Sequence, residues 1–259
     1  MIATKPYLIV VPVGNPVEKF IKQSNYPIKI EDHWRWIKND LNYEILAVQY
    51  GDFVPEKGSY DILEKIKGQK WEIIKQLDNR FDLTDWEYVG FYDDDLIADY
   101  NTINNSFEYA RENNLKAFQL SLAHGSESQY PCTQWLPNAE ISTTNFIEIM
   151  CPVFNRINLA KVLDLIKEYP LKHAWGLDYV FSEYLQVDLN VLHQYRLFHP
   201  SRPDTGSSYN KDEAMKEMND FLYDIYPSIM KKLGRDVTID YSKFQSKTLK
   251  VTLTDWDEI

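Results

Sequence analysis

The sequence predicts an α/β domain with a mostly parallel central sheet and helices on its faces. Short apolar runs of strand type alternate with segments whose apolar residues recur at helical spacing, which is the pattern of α/β layers. Turn residues close the runs, as in Gly14-Asn15-Pro16 and Gly51-Asp52. The chain has 259 residues, 44% of them hydrophobic, and is therefore long enough to bury a substantial core.

The first half of the chain carries this alternation most clearly. Apolar runs predict four strands, at Tyr7–Val13, Tyr43–Tyr50, Trp86–Tyr92 and Ala117–Leu122. Helical spacing predicts helices at Val17–Asn25, at Ser59–Leu77 with an interruption at Gly68, and at Asp99–Asn113.

The second half is less regular, although it contains two well-patterned helices. The predicted elements are a strand at Asn145–Phe154, helices at Leu159–Tyr169, Tyr179–Leu185 and Lys211–Leu233, and a strand at Lys247–Leu253. We expect one domain over residues 1–235 and a C-terminal extension over residues 236–259.

Composition argues against several classes of protein. The formal net charge of −11, without clustered Lys and Arg, disfavours nucleic acid as a partner. The two cysteines, Cys132 and Cys151, are too few for a disulfide framework and lack zinc-site spacing. The sequence shows no apolar run of transmembrane length and no signal-peptide pattern, so the default expectation is a cytoplasmic protein, including one lying peripherally at a membrane.

The most informative segment is Tyr88–Asp95, in which a strand-type run ends in Asp93, Asp94 and Asp95. Three adjacent carboxylates repel one another, so a cation is expected beside them. Oxygen ligands of this kind suit Mg²⁺ or Mn²⁺ better than Zn²⁺. The alternative is a helix N-cap with solvated charges, because Asp is favoured before a first helical turn.

The acidic triplet is predicted to lie at the same edge of the sheet as two other polar segments. Gly14-Asn15, Gly51-Asp52 and residues 93–95 all follow predicted strands, and parallel strands end at one edge of a sheet. Ligands of α/β sheets bind beyond that edge. The sequence contains no Walker-type glycine loop, so a phosphate would be bound by a metal and side chains.

Two residues of the second half are further candidates. Asp178 follows Trp175-Gly176 at a predicted helix start, where it is either an N-cap or a general base in a cleft with an aromatic wall. His199 lies in an aromatic, proline-rich segment and is either structural or a metal ligand.

Several of these motifs resemble nucleotide-sugar glycosyltransferases of the GT-A fold. The resemblance lies in Gly68-Gln69-Lys70 ahead of a helix and in the Tyr88–Leu96 segment. The runs Ile147–Phe154, Trp175–Asp178 and Phe198–Pro203 with Tyr209 are similar to a plant and bacterial domain-of-unknown-function family of putative glycosyltransferases that is placed near those enzymes. The resemblance covers about residues 5–225 and implies a GT-A-like single domain with a Rossmann-like sheet.

The resemblance also implies roles for individual residues. Asp93 and Asp95 match the Asp-x-Asp pair that meets the metal and the diphosphate, with Asp95 the more direct ligand. His199 matches a histidine that completes the metal shell, and Asp178 matches the base of inverting members. His193 stands where an acidic residue is expected, which is a departure from the family pattern.

By the same resemblance, a second group of residues is expected to bind the nucleotide sugar. Asp94 is expected to bind the ribose or the sugar, Lys70 to approach the diphosphate, and Trp175 to form an apolar wall for the sugar unless it belongs to the core. The full set is Gly14, Asn15, Lys70, Asp93, Asp94, Trp175 and Gly176.

Glycosyl transfer fits these residue types, because a divalent cation neutralises the leaving diphosphate and a carboxylate takes the proton of the acceptor hydroxyl. The sequence therefore predicts a metal-dependent transferase that uses Mn²⁺ or Mg²⁺ and moves a sugar from a nucleotide diphosphate to a glycan or lipid-linked acceptor. Two alternatives remain at this point. One is a metal-dependent phosphohydrolase, and the other is a non-catalytic carbohydrate-binding protein, suggested by 18 Tyr and 7 Trp.

Overall fold

The fold is seen in a computed structural model that describes residues 3–24, 26–36, 38, 40–128, 130–167, 172–201, 210–235 and 246–254. Within these residues, nine strands form one sheet in the order β3-β2-β1-β4-β7-β5-β8-β6-β9. The strands are β1 (Tyr7–Val13), β2 (Tyr43–Gln49), β3 (Ile62–Lys65), β4 (Tyr88–Phe91), β5 (Ala117–Leu122), β6 (Ala139–Thr144), β7 (Val153–Asn155), β8 (Leu189–Leu197) and β9 (Thr248–Leu253).

Helices cover both faces of the sheet. They are α1 (Val17–Ser24), α2 (Lys70–Asp78), α3 (Tyr100–Glu112), α4 (Arg156–Lys167), α5 (Leu177–Leu185), α6 (Lys211–Asp220) and α7 (Tyr226–Lys232). Alternate residues of β1 point to opposite faces, as the two-residue period of a strand requires. Leu8 and Val10 pack in the layer of α2, α4 and α5, whereas Tyr7, Ile9 and Val11 pack in the layer of α3.

The strand directions divide the sheet into two halves. In the first half, β3, β2, β1 and β4 are all parallel. In the second half, β7 is antiparallel to both β4 and β5, and β6 is antiparallel to both β8 and β9. Since β5 and β8 are parallel, β1, β2, β4, β5 and β8 all end at the same edge.

The structure agrees with most of the elements predicted in the first half but corrects the segment Ser59–Leu77. The segment contains strand β3, a break at Gly68 and helix α2 instead of an interrupted helix. Gly68 adopts φ +142°, a backbone conformation outside any helix. Ile62–Lys65 pairs with β2 along the outer side of the sheet, and this tertiary pairing overrides a local spacing that also suits a helix.

Three further corrections fall in the second half. The predicted strand Asn145–Phe154 shrinks to β7, and strands β6 and β8 were not predicted. The predicted helix Lys211–Leu233 is interrupted by a π-helical turn at Phe221–Ile225, between α6 and α7. Pro227 lies in the first turn of α7, where a missing backbone N–H disrupts the regular helical ladder.

The C-terminal residues contribute an edge strand to the sheet. In the expected extension 236–259, β9 pairs with β6, and the side chains of β9 are exposed. Arg202, Pro203 and Tyr209, which carried part of the family resemblance, lie outside the described residues. Among the described helices, none is both long enough and apolar enough to cross a membrane.

Candidate functional site

The ends of β1 and β4 are joined through the middle aspartate of the triplet. Asp94 Oδ2 accepts hydrogen bonds from the backbone N–H groups of Gly14 at 2.8 Å and Asn15 at 3.1 Å. The two strands are parallel neighbours, so the turn after β1 meets the triplet that follows β4. The structure thus brings Gly14, Asn15 and Asp94 together at the sheet edge.

Gly14 lies close to the side chain of Tyr50. A Cβ atom at position 14 would stand 2.0 Å from the hydroxyl oxygen of Tyr50, which follows β2. Gly51, one residue further along, would meet nothing within 4 Å. A side chain at the end of β1 would therefore have to displace the Tyr50 hydroxyl, whereas the space beside Gly51 is open.

A buried arginine next to the backbone of Asp94 offsets part of the negative charge of the triplet. Arg35 is fully buried, and its Nη1 donates to the backbone carbonyl of Asp94 at 3.2 Å. Burial raises the pKa of Asp94 to about 6, as does the neighbouring charge of Asp95, whereas Arg35 and the N–H of Gly14 act in the opposite direction. No sequence motif predicted a role for Arg35, although an arginine between Trp34 and Trp36 is a signal of a buried cation.

The first aspartate of the triplet forms an ion pair with Lys70. Lys70 Nζ lies 2.8 Å from Asp93 Oδ1 and also donates to the carbonyls of Ile149 and Met150 at 2.8 Å. Lys70 opens α2, whose start is fixed by a capping box between Gln69 and Glu72. The predicted diphosphate-binding lysine is therefore held against the triplet, where it offsets one of the three negative charges.

The third aspartate lies beside His199. Asp95 is fully buried, and its Oδ2 is 3.5 Å from Nε2 of His199. The contact depends on a short backbone pairing in which Ile97 and Phe198 exchange hydrogen bonds of 2.9 and 2.8 Å. This pairing joins the chain after β4 to the chain after β8 and brings together two residues far apart in the sequence.

Asp95 and His199 are two side chains of types that can ligate a divalent cation. His199 Nδ1 donates to the carbonyl of Glu127 at 2.9 Å, which leaves Nε2 facing the carboxylate, as in a metal-binding histidine held by a backbone partner. Without a metal, burial alone would lower the pKa of His199, but the hydrogen bond and charge of Asp95 raise it to about 9. Within the described residues, no group of three His, Cys, Asp or Glu side chains is arranged around one metal position. Asp93, the third expected ligand, is paired with Lys70.

Asp178 is positioned by a glycine turn at the start of α5. Gly176 adopts φ +100°, and a Cβ there would meet Met218, Phe221 and Leu222 at 3.2 Å. Glu217 on α6 accepts hydrogen bonds from the backbone N–H groups of residues 173 and 174 at 2.9 Å, which fixes the turn from the other side. The first turn of α5 consequently carries the Asp178 carboxylate near the positive end of the helix dipole.

The carboxyl group of Asp178 is buried and has an unusual pKa. Burial raises the pKa to about 7, the charge of Glu148 acts in the same direction, and backbone N–H groups at the helix start lower it. Oδ1 of Asp178 has no hydrogen-bond partner in the part of the chain that the structure describes. A carboxylate with this pKa is suited to accept a proton near neutral pH.

Glu148 is a second buried carboxyl group, and no sequence motif predicted a role for it. It accepts hydrogen bonds from the hydroxyls of Thr133 at 2.5 Å and Ser128 at 3.3 Å. Burial raises its pKa to about 7, although Thr133 and the charge of His199 oppose this rise. Glu148 is therefore within electrostatic reach of both His199 and Asp178. Its signal in the sequence was a lone charge inside the apolar run 146–151.

Of the remaining residues, Trp175 lies beside the candidate site and His193 lies within the sheet. Trp175 is half-buried in the turn before α5, next to Gly176. His193 lies inside β8, where Nδ1 accepts from the N–H of Leu136 and Nε2 contacts Ser142 Oγ at 2.9 Å. Burial lowers the pKa of His193 to about 4, so it is a neutral residue of the sheet.

Solved structures with a similar fold include TarS of S. aureus. Its residues 1–349 in complex with UDP-GlcNAc match with a TM-score of 0.54 and 12% identity over 90% of this chain and 68% of that chain. The same TarS fragment in complex with UDP matches with a TM-score of 0.48 and 9% identity, covering 92% and 76% of the two chains. The sequence itself matches neither a protein-family profile nor a curated protein.

The comparison confirms the fold class that the sequence predicted. The chain is a single GT-A-like α/β domain in which helices flank a central sheet, and it shares this architecture with TarS. At 12% identity the similarity concerns the fold, and the domain-of-unknown-function family is not shown by it.

Proposed function

We propose that this protein is a glycosyltransferase that moves a sugar from a nucleotide diphosphate donor to a hydroxyl of a glycan or lipid-linked acceptor. One observation carries the proposal. A single sheet edge brings together a clamped acidic triplet, the Asp95–His199 pair and a buried Asp178 carboxyl whose pKa is about 7. This combination supplies both requirements of the reaction, which are charge neutralisation at the diphosphate and removal of a proton from the acceptor.

The donor is assigned to the side of the site built by β1, β2 and β4. Backbone N–H groups of Gly14 and Asn15 orient Asp94, which is the residue proposed to bind the ribose or the sugar. The similar fold of TarS in complex with UDP-GlcNAc supports a uridine diphosphate sugar as the first donor to test. Lys70 and Asp93 form the adjacent wall, and Trp175 with Gly176 is proposed to form the apolar wall on the sugar side.

A divalent cation, Mn²⁺ or Mg²⁺, is the proposed cofactor. Asp95 and His199 would hold it, with phosphate oxygens and water completing the shell, because Mg²⁺ characteristically uses one or two protein ligands beside substrate phosphates. When bound, the cation supplies Lewis-acid stabilisation of the leaving diphosphate.

Asp178 is the proposed base of an inverting reaction. Its carboxylate takes the proton of the acceptor hydroxyl while the oxygen forms a bond to the anomeric carbon. The bond from that carbon to the diphosphate breaks in the same step, and the departing diphosphate carries away the electron pair. The unpartnered Oδ1 and the pKa of about 7 support this role.

Isothermal titration calorimetry tests the donor and metal assignments. UDP and UDP-GlcNAc are titrated into the protein with and without MnCl₂, together with the variants Asp95→Asn and Asp164→Asn. Asp164 lies on α4 with its side chain 74% exposed, which makes it a matched control. We expect Mn²⁺-dependent binding that Asp95→Asn abolishes and Asp164→Asn preserves.

Nucleotide titration, phosphate release and glycan binding together distinguish the transferase from the two other classes of protein. Nucleotide binding in neither condition, or an unchanged manganese effect in Asp95→Asn, would contradict the proposal. Release of phosphate from the nucleotide at full rate with water alone would favour a phosphohydrolase. Binding of a glycan without any nucleotide effect would favour a non-catalytic carbohydrate-binding protein.

A further inference from the structure

A small cavity lies at the end of β5, on the same sheet edge as the acidic triplet. It has a volume of about 220 Å³, and its polar and aromatic lining comes from His124, Ser126, Gln134 and Trp135. Cavities that enclose drug-sized ligands are typically about 300–1,000 Å³. The size therefore suits one ring of a ligand.

The lining of this cavity is uncharged in an otherwise acidic protein. Among the residues that the structure describes, no Asp, Glu, Lys or Arg lines it, although the chain has a net charge of −11. An indole ring offers a flat apolar surface, while the amide, imidazole and hydroxyl groups offer hydrogen bonds in several directions. A neutral ring bearing several hydroxyl groups matches this lining, since its C–H face packs on the indole and its hydroxyls meet the polar groups.

Trp135 is held in place before any ligand arrives. Its backbone N–H donates to the carbonyl of Leu122 at 2.8 Å, and Gln134 forms a bridge with Leu122. The guanidinium of Arg196 lies 4.9 Å from the centre of the Trp135 ring. A fixed aromatic platform loses little conformational freedom on binding.

The connection from β5 to β6, residues 123–128 and 130–138, links this cavity to both parts of the candidate site. At one end, Ser126 Oγ accepts from the N–H of His199 at 3.1 Å. Further along, Thr133 donates to Glu148, and the hydroxyl of Tyr130 is 3.4 Å from that of Tyr179, the residue after Asp178. A ligand bound beside Trp135 thus contacts a segment that is tied to the proposed cation site and to the proposed base.

We propose that this cavity binds one neutral sugar ring of a carbohydrate acceptor, with Trp135 packed against the face of the ring. Gln134 and His124 donate and accept hydrogen bonds with the ring hydroxyls. The identification of the ring as the acceptor rests on the proposed transferase function, whereas carbohydrate binding at Trp135 does not.

Saturation-transfer NMR with methyl glycosides of glucose, galactose, mannose, xylose and N-acetylglucosamine tests the cavity directly. The variants are Trp135→Ala, Gln134→Leu and, as an aromatic control, Tyr100→Ala. Tyr100 lines a different cavity of about 430 Å³ beside Lys29 and Asp32. We expect at least one glycoside to bind the wild type, with a Kd that Trp135→Ala raises about tenfold or more, as removal of an aromatic anchor does.

Gln134→Leu keeps the test decisive if Trp135→Ala fails to fold, because Gln134 is exposed and its substitution removes only polar contacts. Weakening in Gln134→Leu but not in Tyr100→Ala supports the proposal. Absence of glycoside binding to the wild type, or equal loss in Tyr100→Ala, overturns it. Glycoside binding that depends on Trp135 in a protein that binds no UDP with Mn²⁺ would refute the proposed function and leave this cavity assignment intact.

Discussion

The first half of the sheet, β3-β2-β1-β4, and the second half, β7-β5-β8-β6-β9, supply the candidate site by different means. In the parallel half, site residues directly follow strands, and neighbouring strand ends contact each other, as Asp94 contacts the N–H groups of Gly14 and Asn15. In the second half, Glu148, Asp178 and His199 come from a connecting loop, a helix start and the end of β8. Their positions depend on contacts between segments that are distant in the sequence.

We therefore expect the parallel half to tolerate substitutions better than the second half. In the parallel half, each site residue directly follows or lies near the end of its own strand, so a substitution there should disturb one contact of the proposed nucleotide donor. The second half is joined through packed turns and buried carboxyl groups, so a substitution there should change turnover or stability.

Asp178→Asn should have the largest effect, and on turnover alone. We expect the rate of sugar transfer to fall about 10³-fold, since a general base contributes roughly 10²–10⁴. Calorimetry should give an unchanged Kd for UDP with Mn²⁺, with Asp164→Asn as the control for both measurements. Equal losses of turnover and UDP affinity would show that Asp178 is structural. They would also show that turnover and nucleotide binding are not separated between the two halves of the sheet.

Gly176→Ala should destabilise the second half more than a comparable change elsewhere. Its φ of +100° disfavours any Cβ, and the Cβ would also press on three side chains at 3.2 Å. We expect a loss of about 3 kcal/mol in the free energy of unfolding, from backbone strain and overpacking together. Gly58→Ala is the matched control, because Gly58 has φ +95° and nothing within 4 Å of its Cβ position. Similar losses in both variants, measured by urea unfolding, would contradict the packing account.

Glu148→Gln should stabilise the protein at alkaline pH. The folded state keeps Glu148 protonated up to about pH 7, whereas the unfolded chain releases this proton near pH 4.5. The wild type therefore loses stability between about pH 4.5 and pH 7, and the variant does not share this loss. We expect Glu148→Gln to be about 3 kcal/mol more stable relative to wild type at pH 8 than at pH 4.

Urea unfolding at the two pH values measures this difference, and equal stability differences at both would refute it.

The same variant should lower the pH at which transfer reaches half its maximum rate, because the charge of Glu148 helps to raise the pKa of Asp178.

Gly14→Ala should have the smallest of these effects, confined to the nucleotide. The new Cβ displaces the Tyr50 hydroxyl, which is the far end of a half-exposed side chain and can move. We expect the Kd for UDP with Mn²⁺ to rise about tenfold, equivalent to about 1.4 kcal/mol. Gly51→Ala, whose Cβ meets nothing within 4 Å, should leave the Kd unchanged. Unfolding of Gly14→Ala instead of weaker binding would contradict the tolerance expected of the parallel half.

Local patterns predicted the parts of the fold that local physics determines. The bounds of β1 and β5 agree with the apolar runs Tyr7–Val13 and Ala117–Leu122, and Asp99 caps α3 through the N–H of Thr102. The segment around β3 could not be predicted, because pairing with β2 decides between two structures that its spacing allows. Strand β8 was also missed, because its polar residues, such as His193, are satisfied by partners from other elements.

From the sequence alone it follows that three aspartates come just after one strand and that Gly14-Asn15 comes just after another. Strand periodicity and turn chemistry act over a few residues, so both can be recognised directly in a sequence. Only the tertiary structure decided that Lys70, His199, Arg35 and Glu148 surround those aspartates. The physical reason is that these contacts depend on the Ile97–Phe198 pairing and on burial between packed layers, and both join residues whose separation in the chain no local pattern records.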